Sequence, residues 1–519
     1  MDDKNYISVP YQRNPSPYFN ILLLIWVLPV FFSVGCTKEE IITDSTLEEF
    51  VNYMDRRIPT LMSDYDIPGA TIALVKKGNI VWTNAYGFAD LEKGRKMTAD
   101  TYCRVESISK SVTAWGVMKL VEQGKIDLDR PLNDYLKSWQ LPESEFSEEK
   151  ATIRQLLSQK SGMPLGTIGI RYDPNAAMPS LKEHLTKDAV LFQEPGKSFS
   201  YSNTGYNLLE LLIEEISGQD FDTFMKEEVL LPLDMHHSSF SWSDDFEPKV
   251  PNGYNSNNKP IPVYVYPDKA SGGLFATVND IATFMIAGMP AFSKKGLEVL
   301  SVQSIDSIYS PNVELSGYYS IVFDSYGFGH FIEILPNGLK SVSHGGQGSG
   351  WMTHFQSVPQ SGDGIVILTN SQRSWPFFGY ILTDWAQWNG YTSVGMGKIV
   401  YGTRALWLII GLLLFLLAWQ IQRIVMGVVS GNRKITLLSS KNSGLRLAQF
   451  GSSILLILAV LWVVNQSYFF MFSVFPIASH WLVLSVFLAA MALVLFVLFP
   501  RYTDEKNYSF SNKSKSGRV

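Results

Sequence analysis

The chain has 519 residues, room for one large domain or two ordinary ones with additions. A net charge of −5 at pH 7 argues against the broad basic face that nucleic acid requires, so no nucleic-acid partner is expected. With 13 Trp, 24 Tyr and 31 Phe the apolar content is high for a purely soluble protein, and the excess is local rather than evenly spread.

Tyr18 to Val34 is nearly uncharged and ends at Ser33-Val34-Gly35-Cys36, before the polar Thr37-Lys38-Glu39-Glu40. Residues 1–36 read as an export signal, with Cys36 a candidate lipidation site of a bacterial lipoprotein; an uncleaved signal anchor is the alternative. In both cases the segment after Cys36 is exported. Cys103, the other cysteine, reads as a small buried apolar residue.

Ser45 to Tyr65 is patterned as an amphipathic helix containing Pro59. Ala70–Val75 and Ile80–Thr83 flank Lys76-Lys77-Gly78-Asn79 and predict a hairpin. Ser107 to Gln123 carries apolar residues at near-helical spacing and stops at Gly124, a residue suited to a left-handed cap. A further helix is expected after Tyr201-Ser202-Asn203. Strands are expected at Tyr319–Phe323, Ser341–His344, Met352–Phe355 and Gly364–Leu368. Strands at both ends with helices between predict an α+β domain over 45–388, its terminal segments sharing one antiparallel sheet flanked by helices. A linker is expected over 389–404.

Three apolar runs come next, at about 405–421, 447–464 and 481–499, each near the length of a bilayer span once its flanks are counted. Arg423, Arg433, Lys434, Lys441 and Arg446 lie between the first two, and no Lys or Arg lies between Asn465 and His480. Arg501, Lys506, Lys513, Lys515 and Arg518 stand after the third run. By the positive-inside rule the first loop and the tail 501–519 are cytoplasmic and everything before Ala405 is outside. The chain is therefore expected in a bacterial cell membrane as a multi-pass protein, its large domain extracytoplasmic and the lipid bilayer its partner.

Ser107 and Lys110 stand three apart, on one face of a helix and about a turn from each other. A serine hydroxyl becomes a nucleophile when a neighbouring base takes its proton, and a desolvated lysine is such a base. Ser-x-x-Lys alone is weak evidence, as the acidic decoy Ser147-Glu148-Glu149-Lys150 shows. On its own, Ser107 reads equally as an N-cap serine before a surface lysine. Two further stretches carry more weight. Glu194-Pro195-Gly196 leads into Tyr201-Ser202-Asn203 just ahead of a helix, and His344-Gly345-Gly346-Gln347-Gly348 offers glycines that let backbone approach a substrate.

In this order the three motifs resemble the serine β-lactamase and penicillin-binding-protein superfamily, and more narrowly its class C β-lactamase, D,D-carboxypeptidase and esterase branch. The resemblance runs from about Thr46 to Asn370 and includes Gly124–Leu132, Leu156–Gly162 and Ala270–Thr277. It implies a β-lactamase/transpeptidase-like fold with a helical subdomain and no cofactor or metal. It implies Ser107 as nucleophile, Lys110 and Tyr201 as its proton partners, and Asn203, His344 and Gly346 against the substrate. The oxyanion would lie between the N–H groups of Ser107 and Gln347. The third motif reads His-Gly-Gly where β-lactamases of this branch carry Lys-Thr-Gly. A neutral imidazole suits a carboxylate less than a lysine does, which points to ester or amide hydrolysis of small-molecule or peptide substrates over β-lactams. The other functional class is a sensor that captures a ligand through the same serine. The loop 422–446 and the tail are too short for a cytoplasmic output domain, which favours the enzyme. Glu106, directly before the nucleophile, has no account at this level. No protein partner is indicated.

Overall fold

The computed structural model describes residues 43, 45–166, 170–247, 249–436, 443–466 and 470–500. The expected export signal with Cys36, and the expected tail, lie outside the described residues. The chain divides into two units. One holds residues 41–403 together with 470–476; the other holds the remaining C-terminal helices.

The large unit is built on a nine-stranded sheet in which every pairing is antiparallel. Its strands are β1 (Gly69–Lys76), β2 (Asn79–Asp90), β3 (Arg95–Lys96), β9 (Val313–Glu314), β10 (Ser325–Tyr326), β11 (Phe331–Ile334), β12 (Lys340–Gln347), β13 (Met352–Val358) and β14 (Asp363–Thr369). Across the sheet they run β3-β2-β1-β14-β13-β12-β11-β10-β9. Small pairings elsewhere use β4 (Cys103–Arg104), β5 (Ser238–Ser239), β6 (Gly253–Tyr254), β7 (Pro260–Ile261) and β8 (Phe275–Ala276). The first two strands and the last join side by side, Ile72 opposite Ile367, so the two ends of the domain close the middle of the sheet. β1 and β14 are buried on both faces, and so read as continuous apolar runs rather than alternating ones.

Alternation sorts these residues into two cores. Ala73, Val75, Val366 and Leu368 face the helical layer, whereas Ile72, Leu74, Ile365 and Ile367 face α1 (Leu47–Tyr65) and α10 (Trp375–Trp388). The helical layer holds α2 (Ile108–Glu122), α3 (Ile153–Leu157), α4 (Leu181–Asp188), α5 (Asn203–Ser217), α6 (Phe221–Met225), α7 (Val278–Ala287), α8 (Lys294–Val299) and α9 (Val302–Ile308). α2 is buried almost throughout, polar positions included. It tolerates this because Ser111 Oγ donates to Gly329 O (2.5 Å), Thr113 Oγ1 donates to Ala270 O (3.0 Å), and Ser109 Oγ accepts from Leu274 N (3.0 Å).

Two expectations need correction. Tyr319–Phe323 is not a strand: Tyr319–Ile321 forms a 3₁₀ turn after Gly317, whose φ is +65°. Its β-prone composition yields to packing, because the Tyr319 ring stacks on Tyr201 and Phe331. The expected linker is packed structure: Tyr391, Val394 and Met396 are buried in the core shared with α10, and α11 (Lys398–Val429) begins immediately after.

In the second unit, α12 (Ser443–Val464) and α14 (Ala478–Leu498) accompany the greater part of α11. All three helices are long and apolar enough to cross a membrane. Leu408, Leu412, Leu455 and Trp462 are exposed, an arrangement that suits lipid and not water. Arg446 at the start of α12 donates to Val497 O, and Arg433 donates to Phe499 O, so cations close the C-terminal end of α14. Between α12 and α14 the short α13 (Phe470–Val474) belongs to the large unit.

Candidate active site

Ser107 occupies the cap position of α2 yet makes no capping bond; its φ and ψ are −66° and −5°. Its hydroxyl faces Lys110 Nζ at 3.1 Å instead. Lys110 is fully buried, and its Nζ also donates to Asn203 Oδ1 (2.8 Å) and Ser271 O (2.7 Å). Burial lowers its pKa to about 7, while Glu106 and Asp268 act in the opposite direction. The arrangement has a chemical consequence. A neutral amine has two N–H bonds and one lone pair. The carbonyl of Ser271 and the amide oxygen of Asn203 can only accept, so they take the two N–H bonds and the lone pair is left for the Ser107 hydroxyl.

Asn203 opens α5, and Ser202 holds it there. Ser202 Oγ accepts from Gly205 N (2.8 Å) and donates to Pro164 O (2.6 Å). Tyr201 precedes them, its ring centroid 5.0 Å from Lys110 Nζ and 6.3 Å from the His344 ring. Ser107, Lys110, Tyr201, Asn203 and His344, widely separated in the chain, thus meet in one cluster.

His344 lies within β12 and is buried. Its Nδ1 is 2.8 Å from Gly345 O, an acceptor, so Nδ1 carries the proton and Nε2 accepts from the Tyr326 hydroxyl at 3.2 Å. Burial, with Lys110 nearby, holds its pKa well below the ordinary value, so the ring is neutral. Gly346 has no room for a side chain: a Cβ there would sit 2.1 Å from Val105 O and 2.9 Å from Glu106 Cβ. β12 therefore lies directly on the turn that presents Ser107. The Gln347 side chain is held at both ends, its Oε1 accepting from Trp375 Nε1 (3.1 Å) and its Nε2 donating to Ser473 Oγ (2.6 Å).

The structure also supplies what motifs did not. Glu106 sits at φ +52°, a strained value for a residue with a Cβ, and its carboxylate is buried. It accepts from Arg104 Nε (3.0 Å), Tyr264 OH (3.0 Å) and Tyr266 OH (3.1 Å). Tyr264 OH in turn accepts from Ser349 N (2.9 Å), and Arg104 donates to Tyr264 O and Gly272 O. Glu106 thus ties the turn that carries Ser107 to the glycine turn after β12 and to the wall formed by 264–272. Isolated tyrosines and an acidic residue give no sequence signal for such a network.

Other residues stay apart from the site. His236 faces Asp234 at 3.7 Å on the surface, and His354 is buried on β13 beside Phe378. Cys103 is a buried free thiol, pushed up to about 12 by burial. Among the described residues no group of three or more His, Cys, Asp or Glu could hold a metal ion.

A family model described as Beta-lactamase matches residues 54–383. Protein flp of Staphylococcus aureus (strain N315) is 26% identical over 312 residues, covering 59% of this chain and 60% of its own length. Penicillin-binding protein 4* of Bacillus subtilis (strain 168) is 25% identical over 326 residues, 58% of this chain and 68% of that one. The chain thus spans about 60% of the length of the flp relatives. Among solved structures, an octameric penicillin-binding protein homologue from Pyrococcus abyssi superposes with a TM-score of 0.53 at 27% identity, covering 62% of this chain and 74% of that one. A class C beta-lactamase mutant gives 0.53 at 20% identity, covering 62% and 92%, and shares the fold.

Proposed function

The chain belongs to the beta-lactamase family, and on that premise we propose that it is a membrane-anchored, outward-facing serine hydrolase that cleaves esters or amides through an acyl-enzyme on Ser107. The observation that carries this reading is the bonding of Lys110, whose two accept-only partners leave its lone pair for the Ser107 hydroxyl. Ser107 Oγ attacks the carbonyl carbon as its proton passes to Lys110 Nζ. The oxyanion is met by the N–H groups of Ser107 and Gln347, and Gly346 allows that strand to come close. Asn203 orients Lys110 and the substrate. Tyr201, stacked against Lys110, relays the proton to the departing alcohol or amine. Water then attacks the acyl-enzyme by the reverse proton path, releasing the acid and restoring Ser107.

His344 argues for the substrate class. As a neutral ring tied to Tyr326 it offers no cation to a substrate carboxylate. Esters and amides without that carboxylate are therefore favoured over β-lactams. The orientation draws support from the loop charges and from residues 470–476: they lie between two of the apolar helices and pack with the hydrolase unit, as an extracytoplasmic loop would.

The test is hydrolysis of a short-chain aryl ester and of a chromogenic cephalosporin by the full chain in detergent, beside Ser107→Ala. Ester turnover abolished by the substitution, with little cephalosporin turnover, is the expected result. Fast cephalosporin turnover would overturn the substrate class. Label trapped on Ser107 without turnover would make the domain a sensor.

A further inference from the structure

Two segments that lead into the membrane helices also brace the site. Gly395 packs so tightly on Val322 that a Cβ would stand 1.8 Å from its carbonyl oxygen, and Gly395 N donates to Glu333 Oε1 at 2.6 Å. Val322 ends the 3₁₀ turn whose Tyr319 stacks on Tyr201, and Glu333 lies two residues along β11 from Phe331, which also stacks on Tyr201. On the other flank, Ser473 of α13 holds the side chain of Gln347, and Val474 is buried in the same core as α10.

Only a few residues separate these contacts from the long apolar helices. α11 starts at Lys398, and the apolar run begins at Ala405, about 10 Å further along a helix rising ~1.5 Å per residue. On the other flank α14 begins at Ala478, a few residues after Ser473. The residues flanking the Gly395 contacts are large, apolar and exposed: Tyr318 at 49%, Ile321 at 58% and Ile334 at 52%. This exposed apolar rim belongs to the 3₁₀ turn and to β11, the two elements that stack on Tyr201 and receive Gly395.

We infer that the site works at the bilayer surface, with Tyr318, Ile321 and Ile334 seated in the lipid interface. Its substrate is then an amphiphile whose apolar part stays in the membrane while its ester or amide reaches Ser107. This rests on the serine hydrolase reading above and names its substrate class. Aromatic and branched apolar side chains are the ones that seat at such an interface.

The test uses the full chain reconstituted in phosphatidylcholine vesicles. Two aryl esters with the same leaving group are compared, an acetate in solution and a long-chain acyl ester carried in the vesicles. The wild type is expected to favour the long-chain ester at least tenfold in kcat/KM. The ratio should fall at least tenfold in Tyr318→Ser with Ile321→Ser. Acetate turnover without that preference, or a ratio unmoved by the double substitution, overturns the inference and leaves the hydrolase standing. No Ser107-dependent turnover of either ester overturns both. A second measurement does not depend on activity: Ile321→Cys, in a chain carrying Cys36→Ser, bears a polarity-sensitive fluorophore. Quenching by phospholipids brominated near the headgroup supports the seated rim, and unquenched emission overturns it.

Discussion

Lys110 Nζ lies 2.8 Å from Asn203 Oδ1, and through that bond α2 is tied to the first residue of α5. Lys110 serves as a base only when neutral, and burial brings its pKa down to about 7. kcat/KM on an aryl ester should therefore rise with pH through about 7 and flatten above it. The groups facing Lys110 are Glu106, Asp268, Tyr201, Tyr206 and His344. Asn203→Asp adds a negative charge beside the ammonium, stabilises the protonated form and should carry the rising limb upward by about 1–3 pH units. A limb that does not move would assign the base elsewhere.

Glu106 makes the opposite prediction. It favours the Lys110 ammonium electrostatically, so Glu106→Gln should move the same limb to lower pH. The substitution also leaves the Arg104 guanidinium buried without its carboxylate, at a cost of about 3 kcal/mol in stability. Thermal unfolding reads the second effect and the pH–rate profile the first. A purely structural role would lower the melting temperature and leave the limb in place.

What the sequence made legible was local or carried by a motif. The hairpin, α2 with Gly124 after it, and the strand at Ser341–His344 follow from periodicity and turn residues, and the three motifs named the cluster. Tyr319–Phe323 misled because its β-prone side chains pack on Tyr201 and Phe331, contacts made far along the chain. Residues 389–397 carry glycines and serine like a linker, yet Tyr391, Val394 and Met396 fill the core against α10. The Glu106 network was illegible for the same reason: Tyr264 and Tyr266 are about 160 residues away in sequence. Composition announces a residue's preference; only the fold supplies the partner that overrides it.

His184 provides a stability test outside the reacting cluster. Its Nδ1 lies 2.6 Å from Asp268, and this pairing raises its pKa against the effect of burial. A group whose pKa is raised on folding stabilises in full below its unfolded value of about 6.5, and that contribution is lost as pH rises through the folded value. The melting temperature of His184→Gln should therefore fall furthest below that of the wild type near pH 5.5. The gap should narrow by about pH 9. A gap of constant size would mean that packing, and not the charge, is what His184 contributes.

Gly345 and Gly346 offer a paired test of how closely β12 must approach the turn that carries Ser107. A Cβ at Gly346 would stand 2.1 Å from Val105 O and 2.3 Å from Thr353 Oγ1, both fixed to each other by the bond from Thr353 Oγ1 to Val105 O (2.8 Å). Val105 O cannot retreat without moving the backbone that presents Ser107, and Thr353 Oγ1, on the neighbouring strand β13, is held by its bond to that same oxygen. At Gly345 the nearest atom is His354 Nδ1, at 3.2 Å, a contact that a shift of a few tenths of an ångström relieves. A displacement of about 1 Å between nucleophile and oxyanion donors can cost about 100-fold in rate. Gly346→Ala should therefore lose about 100-fold in kcat on the aryl ester, and Gly345→Ala less than about tenfold, with melting temperatures recorded for both. Equal losses in the two variants would mean that β12 does not set the oxyanion position. A large loss at Gly346 alone, without a matching fall in melting temperature, would locate the defect in the spacing between Ser107 and Gln347.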